Sequence, residues 1–318
     1  MEKYTILSTV TQYRDNCAQG VRMLEEFGCT IVANQKGRPY RPDELKAIIR
    51  DFDAAIIGPD IFNDAVFSAA PKLRVVARFG IGVDNINLES ARAHGVKVTN
   101  CRGLNSNSVA EHTVTLMLAL QRNIVQLNQT TRKGTWERVL FREMLSCSVG
   151  LIGFGGIAQK VAGKLASFGS PIFAYDTKPD IDKAKELRVT LCDLESVLQC
   201  DIVSIHVPSL PETRHLLNRE KLSRMSSGAL LINTARGSIV DEEALYAMLV
   251  QGSISGYATD VFECEPVQPD NPLLTLNNCI FTPHVAAESY ENYELTGIVG
   301  AKAIIDVLQG RIPENLVV

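Results

Sequence analysis

Val149-Gly-Leu-Ile-Gly-Phe-Gly-Gly-Ile-Ala158, followed by a helical pattern to Phe168 and then by Pro171-Ile-Phe-Ala-Tyr-Asp176, is the stretch that decides how this chain folds. The apolar run from Val149 to Ile152 reads as a strand. Gly153, Gly155 and Ala158 spell G-x-G-x-x-A directly after it. Gly153 permits a tight turn, Gly155 lets the backbone approach a pyrophosphate, and Ala158 keeps the next helix close to the sheet. Gly156 and Ile157 open that helix, whose unpaired N–H groups and positive dipole end suit phosphate oxygens. Asp176 ends the second strand, close to the ~20 residues expected between such a turn and a ribose-binding carboxylate. A carboxylate there accepts from both ribose hydroxyls and repels a 2′-phosphate. The expected cofactor is therefore NAD rather than NADP, although Lys178 lies close by.

Composition frames this reading. The chain has 318 residues, 46% hydrophobic and 21% charged, with a formal net charge of −4. Those values describe an ordinary globular chain and speak against a general nucleic-acid partner or an acidic membrane surface. No apolar run approaches the ~20 residues of a membrane-spanning helix, and the first residues do not resemble a secretory leader. Eight cysteines are scattered without C-x-x-C spacing, as expected of reduced thiols in the cytoplasm. Cys264, between Glu263 and Glu265, reads as a bystander rather than a nucleophile. The five histidines have no zinc-ligand spacing, and no metal is expected. There is no G-x-S-x-G, and the lysine of Gly163-Lys164 is not followed by Ser or Thr, so neither a serine hydrolase nor a P-loop is indicated.

Outside the cofactor stretch, strand and helix signals alternate. Strands are expected at 4–8, 30–33, 54–57, 75–78 and 97–99, with helices at 17–27 and 42–49. This is an α/β pattern with parallel strands. A long apolar helix at 106–121 suits packing between two domains. Later strands read as 202–207, 229–233, 255–259 and 279–282, and a last helix spans 289–308. The layout implies two Rossmann-like domains, with the cofactor domain inserted in the middle of the chain. The substrate domain takes 1–101 and 285–318, and the NAD-binding domain takes 102–284. An interdomain cleft is the expected place for a small ligand.

Three segments fall at expected strand ends: Asn233-Thr-Ala-Arg-Gly237, Asp260-Val-Phe-Glu-Cys-Glu-Pro266 and Thr282-Pro-His-Val-Ala-Ala287. Carboxyl ends of strands border the ligand crevice of a doubly wound sheet. With the glycine turn and Ile205-His-Val-Pro208, these segments resemble the D-isomer-specific 2-hydroxyacid dehydrogenase family almost end to end. The resemblance implies that Arg236 binds substrate, Glu265 pairs with the catalytic histidine, and His284 is that histidine. The chemistry agrees. Oxidising a 2-hydroxy acid requires loss of the hydroxyl proton, and His exchanges protons near neutral pH. A planar Arg holds a carboxylate and polarises a carbonyl. The resemblance also implies cofactor contacts from Asp260, at the nicotinamide carboxamide, and from His206, Val207, Pro208, Thr213, Thr234, Ala235 and Ser108. His206 has a structural reading as well.

Arg78-Phe-Gly-Ile-Gly-Val-Asp-Asn85 matches the family's substrate loop, which makes Arg78, Phe79, Gly80 and Ile81 substrate-binding candidates. Gly80 and Gly82 suit backbone N–H groups aimed at a carboxylate. The loop is similar to that of phosphoglycerate dehydrogenases, so Arg78 either contacts a substrate phosphate or pairs with an acidic neighbour. Two departures bear on this. Gly58-Pro59-Asp60 stands where those enzymes often carry another arginine, and Arg102 replaces a hinge proline. The resemblance implies a phosphoglycerate dehydrogenase-like enzyme of serine biosynthesis without a regulatory domain. Its alternatives are a glyoxylate or hydroxypyruvate reductase and, from a different class, an NAD(H)-sensing corepressor-like protein. A small 2-hydroxy or 2-oxo acid is the expected partner. A homodimer is expected through the 106–121 helix.

Overall fold

The computed structural model describes residues 4–318; Met1 to Lys3, part of the leader reading, lie outside them. The chain forms two compact units. One comprises the residues up to Asn105 together with Glu288–Val318; the other is Ser106–Ala287.

In the first unit, β1 (Tyr4–Ser8), β2 (Cys29–Val32), β3 (Ala54–Ile57), β4 (Val75–Arg78) and β5 (Lys97–Thr99) form one sheet in the order β2-β1-β3-β4-β5. All its pairings are parallel. β3 is buried along its whole length, as a short apolar run with helices on both faces should be. The final helix, Tyr290–Leu308, is capped by Ser289, whose side chain accepts from Asn292 N–H. It packs on the Ala18–Glu26 helix and on β4, which is why the C-terminal segment belongs to this unit. Gly20 makes the approach of the two helices possible, because a Cβ there would lie 2.5 Å from the Gly297 carbonyl oxygen.

In the second unit, β6 (Val149–Ile152), β7 (Ile172–Tyr175), β8 (Thr190–Leu191), β9 (Ile202–Ile205), β10 (Ala229–Asn233), β11 (Ile254–Thr259) and β12 (Cys279–Phe281) lie in the order β12-β11-β10-β9-β6-β7-β8. The pairings are again all parallel. The chain runs outward from β6 through β8, then returns to place β9 on β6's other side. That reversal creates a crevice at the carboxyl ends of β6 and β9. The same ends of β10, β11 and β12, adjacent in the sheet, launch the segments carrying Arg236, Glu265 and His284.

Several expectations are adjusted. β8 was not anticipated, since two residues are too few to show a period. β9 stops at Ile205 rather than residue 207, because Pro208 has no N–H and the chain turns away. The unit boundaries fall at Asn105/Ser106 and Ala287/Glu288 rather than 101/102 and 284/285. Cys101 N–H bonds to the Gly80 carbonyl in the first unit. Val285 and Ala286 N–H groups bond to Asp260 in the second. The Ser106–Gln121 helix is an element of the second unit, where Val109, Val114, Leu116 and Met117 are buried and it packs on the Gly156–Leu165 helix, β10 and β11. Among the described residues no helix is long and apolar enough to cross a membrane, and no group of three His, Cys, Asp or Glu is placed to hold a metal. All eight cysteines are free thiols.

Candidate active site

The glycine turn is built by contacts from three directions. Gly153 has φ +96°, and a Cβ on it would lie 2.8 Å from the His206 carbonyl oxygen and 3.0 Å from Val207 Cγ1. Only glycine satisfies both the dihedral and the space. Phe154 N–H donates to Asp176 Oδ2 at 2.7 Å and Lys178 N–H to Oδ1 at 2.8 Å. Asp176 therefore braces the turn whose ribose partner it is expected to be. Gly155 is different. Its φ is −77°, and a Cβ there would meet no protein atom within 4 Å. Nothing in the protein itself requires glycine at this position, and the space over its backbone is open. Gly155 caps the ten-residue Gly156–Leu165 helix, with Ile157 half-buried in its first turn. That helix end offers N–H groups without intrahelical partners. The residues present thus fit the diphosphate of a dinucleotide.

The other expected cofactor residues divide. Burial pulls His206 down to about 4, so its ring is neutral, and its Nε2 lies 3.0 Å from Ser204 Oγ. Its backbone carbonyl, not its ring, is what lies against Gly153. Thr213 Oγ1 donates to the Pro208 carbonyl at 2.6 Å and accepts from Leu210 N–H at 2.8 Å, so its hydroxyl closes its own turn. Thr234 Oγ1 bonds to Thr113 Oγ1 at 2.8 Å, docking β10 on the Ser106–Gln121 helix. Val207, Ala235 and Ser108 are half-exposed near these elements, and Pro208 is exposed.

Arg236, Glu265 and His284 are held tightly. Buried Asn233 donates from Nδ2 to the Arg236 carbonyl at 2.9 Å and accepts from Ala235 N–H at 3.0 Å. It brackets the turn that presents Arg236, whose Nη1 donates to the Ala235 carbonyl at 2.8 Å. Gly237 comes next. A Cβ there would lie 1.9 Å from the Phe262 carbonyl carbon and 2.3 Å from Glu263 N. The Arg236 segment thus passes directly against the segment that carries Glu265. Glu265 Oε1 accepts from Phe262 N–H at 3.0 Å, and Oε2 contacts His284 Nδ1 at 2.7 Å. Burial pushes the Glu265 carboxyl up, but the hydrogen bond and charge of His284, the Phe262 N–H and the Arg236 charge outweigh it and hold the carboxyl below its usual range. His284 itself sits in left-handed backbone at φ +56°, a conformation a non-glycine residue keeps only when its surroundings enforce it.

Asp260 does part of that enforcing. Its side chain is 1% exposed; it accepts from Thr282 Oγ1 at 2.6 Å and from Val285 and Ala286 N–H at 2.8 Å each. The family resemblance assigns Asp260 a nicotinamide contact; the structure adds that its carboxylate clamps the His284 loop. Asn233, Gly237, Thr282 and His112 escaped the sequence reading. The only available signal was that the first three lie inside the quoted strand-end segments.

In the first unit, several groups of the loop expected to meet substrate have partners within the protein. Arg78 folds back, donating from Nε to the Gly82 carbonyl at 3.0 Å and from Nη1 to the Phe79 carbonyl. A Cβ on Gly80, at φ +151°, would lie 2.8 Å from that guanidinium. Arg78 therefore braces its own loop, a role that was not expected. The Phe79 ring packs edge-on against Tyr13 and Tyr293 rather than serving the loop surface. Gly80 N–H bonds to the Arg78 carbonyl at 2.9 Å. Ile81 is held through its carbonyl by Asn100 Nδ2 at 2.8 Å.

Comparison with known proteins settles the family. The D-isomer specific 2-hydroxyacid dehydrogenase, NAD binding domain family matches residues 114–286. The chain belongs to that family. It is an NAD-dependent oxidoreductase of the 2-hydroxyacid dehydrogenase type. It is 40% identical over 303 residues to D-3-phosphoglycerate dehydrogenase of Methanocaldococcus jannaschii, covering 93% of this chain but 57% of that longer protein. It is 38% identical over 287 residues to glyoxylate reductase of Korarchaeum cryptofilum, covering 87% of this chain and 86% of the relative. The solved structure of the TT0316 protein from Thermus thermophilus superposes with TM-score 0.91 at 33% identity, over 99% of this chain and all of the other.

Proposed function

We propose that this dehydrogenase interconverts a small 2-oxo acid and its D-2-hydroxy acid at C2, with His284 as the acid–base group, Glu265 as its partner and Arg236 as the carboxylate-binding residue. The observation that carries the reading is the 2.7 Å contact between His284 Nδ1 and Glu265 Oε2. An ionised Glu265 only accepts, so Nδ1 bears a proton and Nε2 is the nitrogen that exchanges one with the C2 oxygen. Arg236 lies within electrostatic reach of Glu265 and meets a carboxylate with planar donors. Gly153, Gly155, Gly156, Ile157 and Asp176 hold the dinucleotide, and Val207, Ala235 and Asp260 line its nicotinamide side. When bound, NADH supplies the hydride that reduces C2.

For the substrate, Arg78 favours an unphosphorylated acid of glyoxylate or hydroxypyruvate size. Its guanidinium already donates to two loop carbonyls. A phosphohydroxypyruvate reading, with a place in serine biosynthesis, requires the Arg78 guanidinium to meet a phosphate in addition to these two carbonyls.

We further assign a homodimer to the second unit and the cytoplasm as its compartment. The interface expected through the Ser106–Gln121 helix extends, in this proposal, over the segment that follows it. The Ile124–Arg132 helix buries no residue, and Trp136 and Leu140 are 86% and 98% exposed. Large apolar groups in such number on one segment mark an association surface. Light scattering should give twice the chain mass, and a monomer overturns this assignment. The eight free thiols suit a reducing compartment.

The test of activity is NADH oxidation at 340 nm with glyoxylate, hydroxypyruvate and phosphohydroxypyruvate, alongside His284→Ala. Turnover lost in the variant supports the reading, and preference for the phosphorylated acid reverses the substrate choice. NADH binding without turnover of any acid replaces the enzyme with a nucleotide-sensing role.

A further inference from the structure

We propose that His112 is a positioning residue for His284, acting through Thr282 and Asp260; this rests on the reading of His284 as the acid–base group. His112 lies on the Ser106–Gln121 helix, 170 residues from Thr282 in sequence, and its Nε2 is 3.0 Å from Thr282 Oγ1. The Thr282 hydroxyl has one proton, which it donates to Asp260 Oδ1 at 2.6 Å. It can then only accept on the other side, so His112 Nε2 carries the proton that joins them. His112 Nε2 also stands 3.7 Å from Asp260 Oδ1.

The far end of this chain of bonds is the loop that carries His284. Asp260 receives Val285 N–H on Oδ1 and Ala286 N–H on Oδ2, the two residues that follow His284. Its backbone carbonyl receives His284 N–H at 2.8 Å. A buried carboxylate needs its full set of donors to remain in place. With His112 removed, Thr282 gains a free rotor and loses the donor that orients its hydroxyl toward Asp260. The clamp on residues 284–286 loosens, and with it the left-handed backbone that aims the His284 ring at Glu265. No step of proton transfer passes through His112; it sets where the His284 ring points.

The test uses the full chain with His112→Ala, His112→Gln, Thr282→Val, the His112→Ala/Thr282→Val double variant, and His284→Ala as control. Steady-state reduction of glyoxylate and hydroxypyruvate is read with NADH affinity by fluorescence and His284 ring resonances by long-range 15N NMR. The side-chain amide introduced by His112→Gln can still donate to Thr282. We expect His112→Ala and Thr282→Val each to lower kcat about tenfold, the double variant to fall no further, and His112→Gln to recover most of the loss. NADH affinity should stay within about twofold, and the His284 resonances should move in the folded His112→Ala protein. A half-buried histidine that only adds stability would lower the melting temperature and leave kcat and those resonances alone. That result overturns the proposal, as does a His112→Gln protein no better than His112→Ala or a double variant whose losses multiply. If His284→Ala keeps its activity, the acid–base reading fails first. If His284→Ala is inactive while His112→Ala is unimpaired, only the role of His112 fails.

Discussion

Replacing Gly237 by alanine adds one methyl group at the tightest point of the site. The new Cβ would sit 1.9 Å from the Phe262 carbonyl carbon and 2.2 Å from its oxygen. Ordinary contact begins near 3.4 Å, so one backbone segment must retreat by about 1.5 Å, the difference of the two distances. Both neighbours are backbone, and no flexible side chain can swing away instead. The Phe262 segment carries Glu265, whose Oε1 is tied to Phe262 N–H at 3.0 Å. A retreat of that size takes the 2.7 Å contact between Glu265 and His284 beyond hydrogen-bond range. Misplacement of a catalytic group by about 1 Å costs on the order of 100-fold in rate. We therefore expect kcat to fall about 100-fold and the overpacking to cost about 1–3 kcal/mol of stability. The glycine turn at Gly153 lies at the end of another strand, so NADH affinity should fall far less than kcat, although Ala235 and Asp260 flank the displaced segments. The assays are steady-state NADH oxidation, NADH fluorescence titration and urea unfolding. A Gly237→Ala protein that is folded and retains more than half its kcat refutes the idea that this backbone contact sets the Arg236–Glu265–His284 geometry.

Other outcomes follow from the same contacts. Gly155→Ala should change stability by no more than about 1 kcal/mol, since the added Cβ meets no protein atom, yet weaken NADH about tenfold; equal NADH affinity in a calorimetric titration removes the cofactor from that surface. Asp176→Ser should shift the kcat/KM ratio toward NADPH by about tenfold or more. It should also lower stability, because Phe154 N–H loses its carboxylate partner; an unchanged cofactor ratio counts against the ribose assignment. Glu265 provides a pH signature. Its folded carboxyl lies below its usual 4.5, so the unfolded chain takes up the proton first as pH falls. The stability it contributes is complete above the unfolded value and vanishes as pH drops through the lowered folded value. Urea unfolding of Glu265→Gln should show a smaller loss between pH 6 and that acid range than the parent; parallel curves refute the shift. His206 gives the complementary case. Its folded value of about 4 lies below the usual 6.5, so stability should decline as pH falls from about 6.5 toward 4. His206→Gln should flatten that decline, and an unflattened curve argues that the ring is not held neutral.

Much of the fold was legible because its signals are local. β3 and β6 are short apolar runs each followed by a glycine, and the turn at Gly153 must be glycine because of its own φ. The order of glycine turn, Asp176, Arg236, Glu265 and His284 could be read along the chain, since each follows a recognisable strand end. Two α/β units, the glycine turn and the candidate groups at the strand ends were therefore already legible in the order of residues. What the side chains do with their donors was set by tertiary contacts. Arg78 reads in sequence as a phosphate contact or the partner of an acidic neighbour but bonds to carbonyls of its own loop, and the hydroxyls of Thr213 and Thr234 bond to protein partners. Gly237 has an ordinary φ and is required only because the Phe262 backbone, distant in sequence, passes over it. His112 meets Thr282 across 170 residues. Periodicity and spacing report what neighbours along the chain must do. Hydrogen-bond satisfaction and close packing depend on which distant segments the sheet order brings together, and that emerges only when the whole chain is folded.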